Sequence, residues 1–238
     1  MNGKRVCLLT GASGRLGTVF CSSSANEYEI IAVYRRHPPA WPSLSRLSSS
    51  IQTKEPLDPI HAIQADLRDA ADQQRLVDTV LAKFGKVDLL VNSAVHSVWA
   101  SMLETNRVID SAAAQFQMNV IVPLQLAVLV ARTFWRDHTV ENLQANRNII
   151  NVSSIAGSRV YPNLGQGVYA ASKAALDQLS RHMADEFSTI GIRVNALAPN
   201  SFPRIIPTPG VIQSLKKLDQ GTMTGRVLIL DRDGELLE

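Results

Sequence analysis

The stretch RVCLLTGASGRLG, residues 5–17, decides the fold. The apolar run that follows Arg5 ends at Leu9 and passes directly into Thr10 and a turn with glycines at Gly11, Gly14 and Gly17. A glycine placed straight after a strand and at the mouth of a helix lets backbone N–H groups approach a pyrophosphate, whose charge the helix N-terminus favours. Three glycines can also close a tight turn that holds nothing. Position favours the first reading, because this turn follows the first strand of an alternating chain. Ser13, Arg15 and Leu16 complete the loop, and Arg15 brings a cation to the place where a third close glycine would be expected.

Outward from the turn, RVCLL, EIIAVY, IHAIQA, VDLLVN, NIINVS, IRVNALA and RVLIL read as strands, separated by segments of helical period. This alternation predicts an α/β Rossmann fold: a doubly wound parallel sheet of about seven strands with helices on both faces. A chain of 238 residues, 45% of them apolar, suits a single domain over 1–238. DAADQQRLVDTVLAKFG places Leu76, Val77, Val80, Leu81 and Phe84 at helical spacing, with Gly85 as the stop. Between the second and third strands, HPPAWPSLSRLSSSIQTKEPLDPI is rich in proline and serine. It is expected to be a surface loop with at most a short helix at Leu44 to Ser50.

The net charge is +3, from 24 basic and 21 acidic side chains, and no basic run follows one face, so nucleic acid is not expected as a partner. The oily segment NVIVPLQLAVLVA is interrupted by Pro123 and Gln125 and falls short of the roughly 20 apolar residues a bilayer requires, which predicts a buried helix and no membrane. The short apolar run before Thr10 does not read as a secretory leader. Cys7 and Cys21 lack metal-ligand spacing and are expected to be reduced core residues of a cytoplasmic protein that holds no metal.

TGASGRLG is similar to the T-G-x-x-x-G-x-G loop of the short-chain dehydrogenases/reductases, with Gly14 one place early and Arg15 in the usual place of the middle glycine. The pteridine reductases of that family resemble it further, with T-G-x-x-x-R-x-G. YAASK puts Tyr169 and Lys173 on one helix face, preceded by NIINVSSIAG and followed by IRVNALAP, in the family's order. The resemblance runs from residue 4 to about residue 200 and returns in the last strand, GRVLILDRDG.

What the resemblance implies is an NADP(H)-dependent oxidoreductase that transfers a hydride to a carbonyl-type small-molecule substrate. Ser154 matches the catalytic serine, with Ser153 as its competitor; Tyr169 matches the acid/base, Lys173 its partner, and Asn119 in FQMNV the helix asparagine. A phenol near pKa 10 needs a cation beside it to work near neutrality, and Lys173 supplies one. Ser154 would bond the substrate oxygen, and Asn119 would hold a water that links Lys173 to solvent. On the cofactor side, Asp66 with Leu67 in QADL matches the adenine-binding aspartate, Asn92 in VNSAV the first residue of N-N-A-G, and Pro199 the proline after the sixth strand. Tyr169 and Lys173 also face the nicotinamide end. YRRH at the end of the second strand offers Arg35 and Arg36 where NAD-preferring sites carry an acid, and these cations suit a 2′-phosphate.

The sequence departs from N-N-A-G at Ser93 and Val95, and from the family in three further places. The stretch between Ser154 and Tyr169 is slightly longer than usual. Arg204 stands where a threonine would bond the carboxamide. SFPRIIPTPGVIQSLKKLDQGTM is short, which implies that SFPRIIP replaces the substrate lid while VIQSLKKL keeps the packing helix after it, with Trp99 as a candidate wall of the pocket. Alternative readings are a non-catalytic NADP(H)-binding regulator, or a dehydratase or epimerase of the extended branch. The helices at Asn119 to Trp135 and Tyr169 to Ile190 carry more apolar surface than one sheet face covers, which predicts a homodimer or homotetramer.

Overall fold

The computed structural model describes residues 3–39, 59–103 and 106–238, so the helix expected at Leu44 to Ser50 lies outside the described residues. Strands β1 (Arg5–Thr10), β2 (Tyr28–Tyr34), β3 (Ile60–Gln64), β4 (Leu89–Asn92), β5 (Asn148–Val152), β6 (Arg193–Pro199) and β7 (Val227–Asp231) coincide with the seven expected runs. An eighth, β8 (Gly234–Leu237), turns back antiparallel on β7, and all four of its residues are exposed. The sheet order is β3-β2-β1-β4-β5-β6-β7-β8, and every pair before β8 is parallel.

The alternation of side chains along each strand builds two cores. Val6 and Leu8 of β1 face α2 (Ala70–Phe84), α4 (Val122–Thr133) and α6 (Gly167–Ser188), where they meet Leu76, Leu126 and Met183. Cys7 and Leu9 face α1 (Arg15–Ser24) and α7 (Thr208–Gln220), where they meet Phe20 and Leu215. Covered on both faces, the parallel strands need near-continuous apolar sequence, which is why they were legible. Cys7 and Cys21 are free thiols buried in the second core, and burial pushes the Cys21 thiol up to about 12.

α2 starts on Asp69, whose carboxylate accepts from Ala71 N at 2.8 Å, and ends on Gly85 at φ +69°. α3 (Arg107–Phe116) runs into α4 through a π-helical turn, Gln117–Ile121, that contains Asn119; such turns concentrate at functional sites. By length and composition, Arg107–Thr133 could cross a bilayer, but Met118, Val122, Leu126, Ala127 and Val130 along it belong to the first core. The strand order reverses between β1 and β4, and the carboxyl ends of the strands there open a crevice.

Candidate active site

The phosphate loop closes as its glycines require. A Cβ on Gly11, which has φ +71°, would stand 2.8 Å from Ala94 Cα, and one on Gly17 would stand 2.5 Å from Ala12 Cα, so neither position admits a side chain. α1 begins with no side-chain cap and no acid in its first turn, which leaves its N-terminus suited to an anion.

A cavity of about 520 Å³ opens beside this helix end. It is walled by Gly11, Ser13 and Gly14 of the loop, Arg35 and Arg36 after β2, Leu67 and Arg68 after β3, and Ser93 to His96 after β4. The last segment is held from two sides. Thr10 Oγ1 accepts from Ser93 N at 2.9 Å and Ala94 N at 3.1 Å, and Asn119 grips the His96 backbone through two bonds of 2.9 Å.

Several residues expected at the cofactor are not among those that wall this cavity. Leu16 is 4% exposed and packs in the second core, while Arg15 is exposed as the first residue of α1; neither lines the cavity. The Asn92 amide points into the sheet, donating to Asn151 Oδ1 at 2.8 Å, because β4 and β5 pair side by side there. Asp66 is held in a two-point ion pair by Arg68, which pulls its carboxyl down to about 2, and it lines a small polar hollow with Arg35, Arg36 and Arg75 rather than the large cavity.

The second part of the site lies at the ends of β5 and β6. Ser154 is extended, and its Oγ accepts from Ala156 N at 3.2 Å, capping the turn Ile155–Gly157. It lines the same cavity as Tyr169, whereas Ser153 turns inward, its Oγ donating to Lys173 O at 3.3 Å. Burial pushes the Tyr169 phenol up, the neighbouring Ser154 hydroxyl partly offsets it, and the charge of Asp177 adds to the rise. Lys173, 3% exposed, donates to Val152 O at 2.8 Å and lies 5.8 Å from the Tyr169 ring centre, while burial pulls its ammonium down to about 8.

One Asn119 amide hydrogen goes to His96 O and the other to Ser172 Oγ, each at 2.9 Å, so its side chain fastens the β4 loop to α6. Its partners lie far away in sequence, which is why the motif alone did not reveal them.

Ser154, Tyr169 and Pro199 share a cavity of about 300 Å³ with Trp99, Tyr161, Leu164, Phe202 and Ile205. The Trp99 and Tyr169 rings lie 6.2 Å apart. The longer segment before Tyr169 is absorbed in a turn with Asn163 and Gly165 both at φ +61°, docked by a 2.8 Å bond from Ala100 N to Gly165 O. The shortened lid is the turn at 201–206, which contributes Phe202 and Ile205, and α7 follows it.

The family model for short chain dehydrogenases matches residues 5–203. The chain is a short-chain dehydrogenase/reductase. This short-chain dehydrogenase/reductase is 32% identical to an L-xylulose reductase of Caenorhabditis elegans over 82% of its own length and 70% of the relative's. Its fold matches a short chain dehydrogenase from Mycobacterium avium with a TM-score of 0.79 at 22% identity, covering 99% and 84% of the two chains. It also matches a Pseudomonas aeruginosa RhlG/NADP active-site complex with a TM-score of 0.77 at 24% identity, covering 97% and 96%. As a member of this oxidoreductase family it takes a nicotinamide cofactor, and the glycine cradle, the uncapped α1 end and the adjoining cavity fit one.

Proposed function

We propose that this protein is an NADP(H)-dependent reductase of a small-molecule carbonyl compound with an apolar substituent. The observation that carries the reading is that Ser154 and Tyr169 share the wall of one open cavity, with buried Lys173 one helical turn after Tyr169. Bound in the glycine-lined cavity, the cofactor supplies the hydride. Ser154 Oγ bonds the carbonyl oxygen and steadies its developing charge, and the Tyr169 hydroxyl gives that oxygen its proton.

The substituent is inferred from the walls. The cavity at Tyr169 shares Tyr161, Leu164 and Gln166 with a larger one of about 740 Å³ that extends to Met102 and Val160. Preference for the 2′-phosphate is assigned to Arg35 and Arg36, which line the cofactor cavity and follow β2 directly, at the place where an NAD-preferring site carries an acid. Ile109 and Ile121 remain exposed on Arg107–Thr133, and symmetric pairing through that helix belongs to the same reading.

The test is a panel of ketones and aldehydes with NADPH and with NADH, followed by nicotinamide absorbance. At least one compound should oxidise NADPH faster than NADH. Replacing both Arg35 and Arg36 by Ala should weaken NADPH alone, on the order of 1.5–3 kcal/mol per charged hydrogen bond removed. No turnover with either cofactor contradicts the catalytic reading, and equal losses for both contradict the phosphate assignment.

A further inference from the structure

Asp177 lies one helical turn after Lys173 on α6 and is 7% exposed. Its Oδ1 is buried with no hydrogen-bond partner. Its Oδ2 occupies the space beside Gly157, where an added Cβ would stand 2.8 Å from it, so the turn capped by Ser154 rests against this carboxylate. Four groups act on it: Ser153 from the end of β5, Lys173 and Arg181 from its own helix, and Glu238. A carboxylate with an unpaired oxygen in such a place costs folding free energy, and groups of this kind gather at functional sites. Lys173 is equally short of partners. Its Nζ makes one bond, to Val152 O, and among the described residues Asp177 is the charged group that favours its ammonium form.

We propose that Asp177 is the counter-charge of Lys173, a positioning residue that keeps the lysine in its ammonium form and braces the turn that carries Ser154. The inference rests on the reading of Tyr169 and Lys173 as the proton-delivery pair. A neutral lysine cannot ease the loss of a proton from a phenol, and burial alone drives Lys173 towards neutrality. With burial pulling Lys173 down to about 8 and pushing Asp177 up to about 6, both carry charge together only between those limits. Arg181 and Ser153 help the carboxylate ionise and Glu238 opposes it. Asp177 touches no substrate: through Lys173 it favours loss of the phenol proton, while its own charge on Tyr169 opposes that loss.

The experiment is a nitrogen-15 NMR titration of the Lys173 amino group in the full chain, from about pH 5 to about pH 10, assigned by its loss in Lys173→Met. The wild-type resonance should move in two steps, one as Asp177 ionises and one as Lys173 loses its own proton. In Asp177→Asn the lower step should vanish and the upper step should fall by about one pH unit, carrying the alkaline limb of NADPH turnover with it; Asp177→Glu should restore both. A single step, identical in wild type and Asp177→Asn, overturns the proposal. If Asp177→Asn does not fold, the wild-type curve decides alone, since a missing lower step contradicts the pairing. Two steps in a protein that reduces no carbonyl would uphold the pairing and remove the reductase reading.

Discussion

The two ends of the same parallel sheet treat buried charge in opposite ways. At the amino ends of the strands, Asp219 is 1% exposed and accepts from Tyr28 Oη at 2.8 Å, Arg5 at 2.9 Å and Asn148 at 2.7 Å. Asp88 beside it takes Val6 N at 3.0 Å and pairs with Lys86 at 2.7 Å and Arg147 at 3.2 Å. At the carboxyl ends, at similar depth, Lys173 makes one bond and Asp177 keeps an oxygen without a partner. Burial of a charge therefore does not mark the site. The pairing of the carboxylates differs: both oxygens of Asp219 and of Asp88 are bonded, whereas Asp177 keeps one without a partner beside the candidate site.

The largest effect that would break this contrast is at Asp219. Asp219→Ala leaves Tyr28, Asn148 and Arg5 without their acceptor and should cost about 3–5 kcal/mol by denaturant titration, with turnover per folded molecule unchanged. A loss below about 1 kcal/mol would show the network to be idle.

A smaller effect is in the pH dependence of stability, where the two ends should have opposite signs. Hydrogen bonds and ion pairs with Lys86, Val6 N and Arg147 outweigh burial and hold Asp88 below the usual carboxylate range. Its contribution is present above about pH 3.9 and is lost as pH falls through its folded value. Asp177 is pushed up to about 6, so its folded form binds more protons than its unfolded one, and stability falls as pH rises from about 4 through that value. Asp177→Asn should remove that slope and raise stability at pH 7 by about 1–2 kcal/mol, read from unfolding across pH. An unchanged slope would mean that Asp177 titrates normally.

The features legible in the sequence were local ones. The run from Val6 to Leu9 and the glycines at Gly11 and Gly17 constrain residues close to them in the chain or in the strand beside them, so the glycine turn and seven strands could be read directly. β8 escaped because GELL is exposed throughout and carries no buried face to leave a period of two. Asn92 and Asn119 were found by motif, but their partners Asn151, His96 and Ser172 are set by strand pairing and helix packing. Tyr169 shows the limit for electrostatics. A cation one turn away predicted a lowered phenol, whereas burial, a property of the folded molecule, raises it, with the charge of Asp177 adding to the rise and Ser154 only partly offsetting it. Thr10, Arg68 and Asp177 were missed for the same reason; the spacing of Asp177 from Lys173, one helical turn on the same face, was the one signal available.

Two tyrosines allow the contrast to be tested by removing one oxygen atom at each end of the sheet. Tyr28 donates to Asp219 at 2.8 Å, and Tyr169 lines the cavity with Ser154. The measurement is turnover and unfolding free energy of Tyr28→Phe and Tyr169→Phe side by side. Tyr28→Phe should lose about 1.5–3 kcal/mol of stability, the contribution of a hydrogen bond to a charged group, and retain its turnover. Tyr169→Phe should keep its stability and its NADPH affinity and lose roughly 10²–10⁴-fold in turnover, as befits a positioned proton donor. Full turnover in Tyr169→Phe, or a turnover loss in a folded Tyr28→Phe as large as that in Tyr169→Phe, would contradict the account.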